Sequence, residues 1–146
     1  MFNYLFNPDT IQNFLILLGI IFALVEVNKI QEQNYIQIVI EYTRRYADIL
    51  KNFPLKAFQN ETGLDDLNPK DREIFLKNLR TYIDLCSEEY LLYKKKFIDK
   101  ELWKDWEKGL KSNFELRCFR EGWKELKYFV KYYPEFSALL NKLDIF

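Results

Sequence analysis

The run Phe14–Val25, FLILLGIIFALV, is an unbroken apolar stretch whose only glycine, Gly19, is itself apolar. It lies inside a longer uncharged segment, since sixteen residues separate Asp9 from Glu26. A helix that crosses the hydrocarbon core of a bilayer needs about 20 mostly apolar residues, whereas runs of about 10 to 14 belong more often to buried core helices or to the centre of a signal peptide. Counted from Ile11 to Val27, only Gln12, Asn13 and Glu26 are polar, and these sit at the ends, within reach of headgroups or water. The segment is therefore read as a membrane-spanning anchor, with a buried helix and a cleaved signal as the competing readings. Against a signal, the first ten residues hold no Lys or Arg and no A-x-A-like site follows the run. The flanks give an expected orientation: Asp9 and no basic residue before the run, Lys29, Arg44 and Arg45 after it. The positive-inside rule then puts the C-terminus in the cytoplasm, on a cell inner membrane or another energised membrane. The Asn60-Glu61-Thr62 sequon would face the cytosol and reads as loop chemistry only.

Outward from the run, apolar residues keep a helical period. Tyr35, Val39, Tyr42, Tyr46, Ile49 and Phe53 recur at spacings of four and three, which predicts one helix from about Thr10 to about Asn52. At about 1.5 Å per residue such a helix is on the order of 65 Å long. Its stripe covers fewer than three heptads, so it reads as a face for packing, with a parallel oligomer around a stalk as the alternative. Pro54, Gly63 and a polar, acidic cluster then break the pattern. Asn68 before Pro69 is a helix start, because the amide side chain can cap free N–H groups and proline tolerates the first helical position. A second helix is predicted over 69–96, with the stripe Phe75, Leu79, Tyr82, Cys86, Tyr90, Tyr93 and Phe97. Asp99 opens a short third helix ending near Gly109, Ser112 or Asn113 caps a fourth that stops before Pro134, and Pro134 starts a fifth. No stretch alternates with period two. The expected fold is all-α: an N-terminal membrane anchor over 1–28, a cytoplasmic helical stalk over 29–53, a loop over 54–68 and a helical domain over 69–146 with about four further helices.

Composition removes many functions. The 146 residues hold 22 Lys+Arg, 22 Asp+Glu and no His. Balanced charge gives no electrostatic footprint for nucleic acid, and the missing histidine removes the usual general base and the commonest metal ligand. The neutrality is a sum over unlike parts, because residues 1–28 contain only Asp9 and Glu26 while residues 69–146 carry 17 basic and 14 acidic side chains. Cys86 and Cys118 form no C-x-x-C pair and read as small core residues in a reducing compartment. Four glycines at positions 19, 63, 109 and 122 cannot form a phosphate-cradling loop. Glu88 and Glu89 project about 100° apart on a helix and do not converge as a catalytic pair. No enzyme activity, cofactor or metal site is expected.

Two arrangements are candidate sites. Arg117, Arg120, Lys124, Lys127 and Lys131 recur at threes and fours and share one helix face, with Lys104, Lys108 and Lys111 upstream. Such a face suits an anionic small molecule such as a signalling nucleotide, a headgroup or an acidic partner. The competing reading is a solvated face with local ion pairs, since Glu121 lies at pairing distance from Arg117 and Lys124. Trp103, Trp106 and Trp123 fall on or beside the apolar stripes and read as core anchors, or else as an aromatic pocket that stacks a base or holds a cation.

The stretch from Tyr82 to Trp123, with Glu88-Glu89, Ile98-Asp99, Trp103, Trp106, Gly109 and Trp123, resembles a family of short bacterial membrane-anchored helical proteins described only as a domain of unknown function. The resemblance implies the same topology and no activity. The expectation is a non-enzymatic single-pass protein whose cytoplasmic helical domain binds a protein partner or assembles with itself. The alternatives are a ligand-gated effector that senses an anion through the basic face, and an accessory subunit of a larger membrane complex. Nucleic acid is not an expected partner.

Overall fold

The computed structural model describes residues 8–130 and 133–143. The chain is all-α, with no strand among the described residues. Five helices follow in order: α1 (Pro8–Leu50), α2 (Pro69–Lys94), α3 (Lys100–Glu115), α4 (Arg117–Val130) and α5 (Pro134–Lys142). Two short 3-10 turns, Leu55–Phe58 and Leu64–Asp66, lie between α1 and α2. By its internal contacts the chain divides into two units, Met1–Val39 and Ile40–Phe146, with the division inside α1.

In the first unit, α1 is long and apolar enough to cross a membrane, with a most hydrophobic window of mean hydropathy 1.9 and none of that window buried. Phe22 is 72% exposed and Leu15, Leu17 and Leu24 are similarly uncovered. Among the described residues none of that window is covered, so its apolar side chains meet whatever surrounds the helix.

The second unit packs α2, α3 and α4 against one another and seats the two turns on α4. Phe119 of α4 is its centre: fully buried, 5.2 Å from the rings of Phe53 and Phe75, with Phe58, Tyr82 and Phe114 in the next contacts. Around Phe119 the rings of Phe75, Tyr82 and Phe114 meet it edge-to-face and those of Phe53 and Phe58 are tilted, so aromatic packing fills the junction of the helices at varied angles. Gly122, one turn along α4, lets α4 approach α2 closely, since a Cβ there would lie 2.5 Å from Leu79 Cδ2 and 2.8 Å from Phe75 Cε1. Segment 54–68, expected as a loop, buries Ala57, Thr62, Leu64 and Leu67 and belongs to this core. On α5, Phe136, Leu139 and Leu140 are buried, and its first turn is tied to α2 by Lys94–Glu135 at 2.8 Å and by Tyr133 Oη donating to Asp84 at 2.6 Å.

Two of the three expected caps form: Asn68 Oδ1 accepts from Asp71 N at 2.9 Å and Asp99 Oδ1 from Leu102 N at 2.8 Å. Three boundaries differ from the sequence expectation. Helix α2 closes at Lys94 because Lys96 turns left-handed at φ 61°, bringing Phe97 N to Leu92 O at 2.9 Å. Phe97, expected on the buried stripe, is exposed, and Ile98 is buried instead. Helix α3 does not end near Gly109. No positive φ occurs at a glycine among the described residues, and the helix continues to Glu115. The break before α4 comes at Leu116, which is extended, so neither Ser112 nor Asn113 is a cap; Asn113 is buried within α3.

Candidate functional site

Within the second unit, the last turns of α1 and the facing surfaces of α2 and α3 enclose a cleft of about 230 Å³. Tyr42, Thr43 and Tyr46 line it from α1, Tyr82 and Glu89 from α2, and Asp105, Trp106 and Gly109 from α3. Helical spacing gathers these groups: Tyr42 and Tyr46 are four apart, Tyr82 and Glu89 seven apart, Asp105 and Gly109 four apart. Two aromatic pairs are built into the lining. Tyr42 stacks on Trp106 at 5.7 Å and 29°, and Tyr46 meets Tyr82 at 6.1 Å and 54°. Beneath the second pair, Asn113 Nδ2 donates to Tyr82 Oη at 3.0 Å and to Tyr46 Oη at 3.3 Å, fixing both phenols from inside the core. That is a structural role for a buried amide, which would otherwise leave donors unsatisfied.

The adjacent carboxylates of α2 have opposite fates. Glu88, on the surface, accepts from Arg45 Nη1 at 2.6 Å and from Tyr42 Oη at 3.1 Å, and the Arg45 guanidinium above all holds its carboxyl below the usual range. The same guanidinium lies 5.0 Å over the Tyr42 ring. Glu89, only 7% exposed, is pushed by burial up to about 8, against the opposing pull of the Arg45 charge and a hydrogen bond with Cys86. It is a neutral carboxylic acid at pH 7. Both thiols are buried and free, with burial pushing Cys118 up to about 12 and Cys86 well above the ordinary thiol range, so neither is a ready thiolate.

On the basic face of α4, the two arginines are engaged in structural contacts. Arg117 pairs with Glu121 at 2.8 Å, lies 3.9 Å from Asp66 and donates to the Glu61 carbonyl at 3.4 Å. Glu121 in turn accepts from Leu64 N at 2.7 Å, so this pair fastens the inter-helix segment to α4. Arg120 reaches back to the carbonyls of Phe114 and Glu115, satisfying the C-terminal end of α3 where cations are favoured. Lys124 is exposed, and Glu125 is turned to Arg72 at 2.6 Å. The Lys127 side chain and Lys131 lie outside the described residues. Upstream, Lys108 pairs with Asp105 and Lys111 with Glu107.

The tryptophans divide. Trp103 is buried, parallel to Tyr93 at 5.3 Å, and Trp123 is buried edge-on to Phe114 at 6.0 Å; both are core anchors. Trp106 alone of the three lines the cleft. The remaining lining residues escaped the sequence search because Tyr42, Tyr46 and Tyr82 read as packing. One signal was available: Glu89 stands three residues from Cys86 and seven from Tyr82, a carboxyl on the apolar stripe itself. Among the described residues no three His, Cys, Asp or Glu side chains gather as a metal site. No family model, curated relative or solved structure matches the chain.

Proposed function

We propose that this chain is a non-catalytic single-pass membrane protein, anchored through residues 11–27, whose helical unit faces the cytoplasm and docks a protein partner or a second copy of itself. The observation that carries the proposal is the state of that segment: helical, apolar and uncovered, with none of its most hydrophobic window buried. An apolar helix with no protein against it is stable in lipid, where its backbone hydrogen bonds are already satisfied internally. The cytoplasmic side is supported by Lys29, Arg44 and Arg45 after the segment, because flanking Lys and Arg bias orientation while acidic neighbours contribute little. The non-catalytic reading is supported by the groups at hand: no histidine, two thiols held protonated, and a surface carboxylate already engaged by Arg45.

Alkaline carbonate extraction of membranes tests the anchor. The full-length chain is expected in the pellet, and its recovery in the supernatant would refute the anchor. For the docking half, light scattering in a non-ionic detergent reads the protein mass per micelle, and chemical crosslinking of native membranes reads the neighbours. Protein mass equal to one 17.9 kDa chain, together with no crosslinked neighbour in membranes, would refute it.

A further inference from the structure

We propose that the cleft between α1, α2 and α3 is a binding site for a small monovalent organic cation, an alkylammonium or methylated ammonium group, with Glu89 as its counter-charge. Three observations converge. Four of the eight lining residues are aromatic: Tyr42, Tyr46, Tyr82 and Trp106. Their π-faces carry the negative side of a ring quadrupole, the surface that attracts ammonium groups. The lining holds two carboxyl side chains, Glu89 and Asp105, and neither Lys nor Arg lines the cleft. The volume of about 230 Å³ holds about seven groups of water size at about 30 Å³ each, enough for a substituted ammonium with a short chain.

The lining also separates organic from inorganic cations. Calcium and magnesium demand six or more oxygen ligands and give up water reluctantly. Here Asp105 is tied to Lys108 at 2.8 Å, which leaves Glu89, hydrogen-bonded to Cys86 and in no salt bridge among the described residues, as the carboxyl among aromatic walls. A weakly hydrated ammonium that exchanges water for ring faces and one carboxylate fits that set. The molecule contains a version of the contact on one of the lining rings, where the Arg45 guanidinium sits over Tyr42 while salt-bridged to Glu88.

Binding carries a proton signature. The groups around Glu89 are Tyr42, Arg45 and Tyr46 on α1, Tyr82, Cys86 and Glu88 on α2, and Asp105 on α3. In the empty cleft the Glu89 carboxyl keeps its proton up to about 8. A cation beside it favours the carboxylate, so the proton passes to solvent as the cation binds. At neutral pH the exchange is one cation in and close to one proton out.

The test uses the full chain in a non-ionic maltoside detergent, which introduces no ammonium headgroup. Choline chloride is the probe, its neutral carbon isostere with a tert-butyl group in place of trimethylammonium is the control, and sodium chloride matches ionic strength. Choline is expected to raise the thermal midpoint with concentration while the isostere and sodium do not. Titration calorimetry in two buffers of different protonation enthalpy is expected to show release of close to one proton at pH 7. Glu89→Gln is expected to weaken choline about tenfold or more and abolish proton release. Trp106→Leu, at a half-buried position, weakens binding about fivefold while retaining proton release, and it supplies the answer if the Gln variant fails to fold. No shift at millimolar choline, an equal shift from the neutral isostere, or binding unchanged in both variants would overturn the proposal.

Discussion

Replacing Glu89 by Gln should make the helical unit more stable at alkaline pH and flatten its pH dependence. The side chain is buried on α2 beside the fully buried Leu85 and the buried thiol of Cys86. In the native protein it holds its proton up to about 8, whereas in the unfolded chain it releases it near the ordinary glutamate value of 4.5. Between those limits the native state binds one more proton than the unfolded state, so stability falls as pH rises, by about 1.4 kcal/mol per unit well inside the window. It is fully retained below about 4.5 and exhausted above about 8. From about pH 6 to about pH 8 the expected loss is about 2 kcal/mol, the curve flattening as the folded pKa is reached. Gln resembles the neutral acid in shape, keeps an oxygen beside the Cys86 thiol and has no proton to lose. The stability difference between variant and wild type should therefore grow by about 2 kcal/mol over that interval, or on the order of 10 °C in midpoint for a unit of this size. Tryptophan fluorescence during urea or thermal unfolding in non-ionic detergent is the assay, because Trp103, Trp106 and Trp123 all lie in the second unit. Staying below about pH 8 avoids the buried thiols, and staying above about pH 6 avoids Glu88 and Glu121, both held below the usual carboxylate range. A difference that stays constant across the interval would refute the reasoning, since it would mean that Glu89 is ionised in the native protein throughout.

Three backbone substitutions test the packing and the helix ends with the same fluorescence readout. Gly122→Ala puts a methyl against Leu79 and Phe75 and should cost about 1–3 kcal/mol by forcing α4 from α2; unchanged stability would show that the helices are not in close contact there. Lys96→Gly relieves a left-handed residue at the end of α2 and should stabilise by about 1 kcal/mol, whereas a loss would mean that the lysine side chain contributes more than its backbone conformation costs. Gly109→Ala, at a helical position where an added Cβ meets nothing within 4 Å, should stabilise α3 by about 0.5–1 kcal/mol; destabilisation would show that α3 ends there instead of continuing to Glu115.

The elements that proved legible in the sequence were those with local causes. Asn68-Pro69 and Asp99 carry their own capping chemistry, and the side chains bond as that chemistry requires. The apolar segment over 11–27 is decided by composition alone. What failed was inference from a glycine by itself: Gly109 looked like a helix end, yet a glycine ends a helix by adopting positive φ, and the residue that does so at the end of α2 is Lys96. Segment 54–68 looked like a solvated loop because its anchors are distant in sequence. Leu64 N bonds Glu121, 57 residues away, and Arg117 reaches the Glu61 carbonyl. The basic face on α4 was visible as a pattern, but its partners were not, since Arg120 is engaged by the carbonyl end of the preceding helix and backbone carbonyls leave no trace in residue types. The cleft was least legible, because three helices must meet before Tyr42, Tyr82 and Trp106 share a wall.

Two polar groups inside the second unit show why Glu89 stands apart. Asn113 is buried, but both of its donor hydrogens reach phenol oxygens, so the core gains a fixed arrangement of Tyr46 and Tyr82 in return for the buried amide. Among the described residues the Glu89 carboxyl has only the weakly polar Cys86 thiol as a hydrogen-bond partner. It lies among Tyr82, Leu85 and Cys86 on the buried stripe, and a Gln there would spare the unit a pH-dependent loss of several kcal/mol. A small domain has only about 5–15 kcal/mol of net stability, so a burden of that size on one residue is large. Sequences depart from local consistency chiefly where a site needs it. A carboxyl that is neutral when the cleft is empty, and charged only beside a cation, is the device such a site requires: it avoids a bare buried anion in the free protein and supplies the counter-charge on binding.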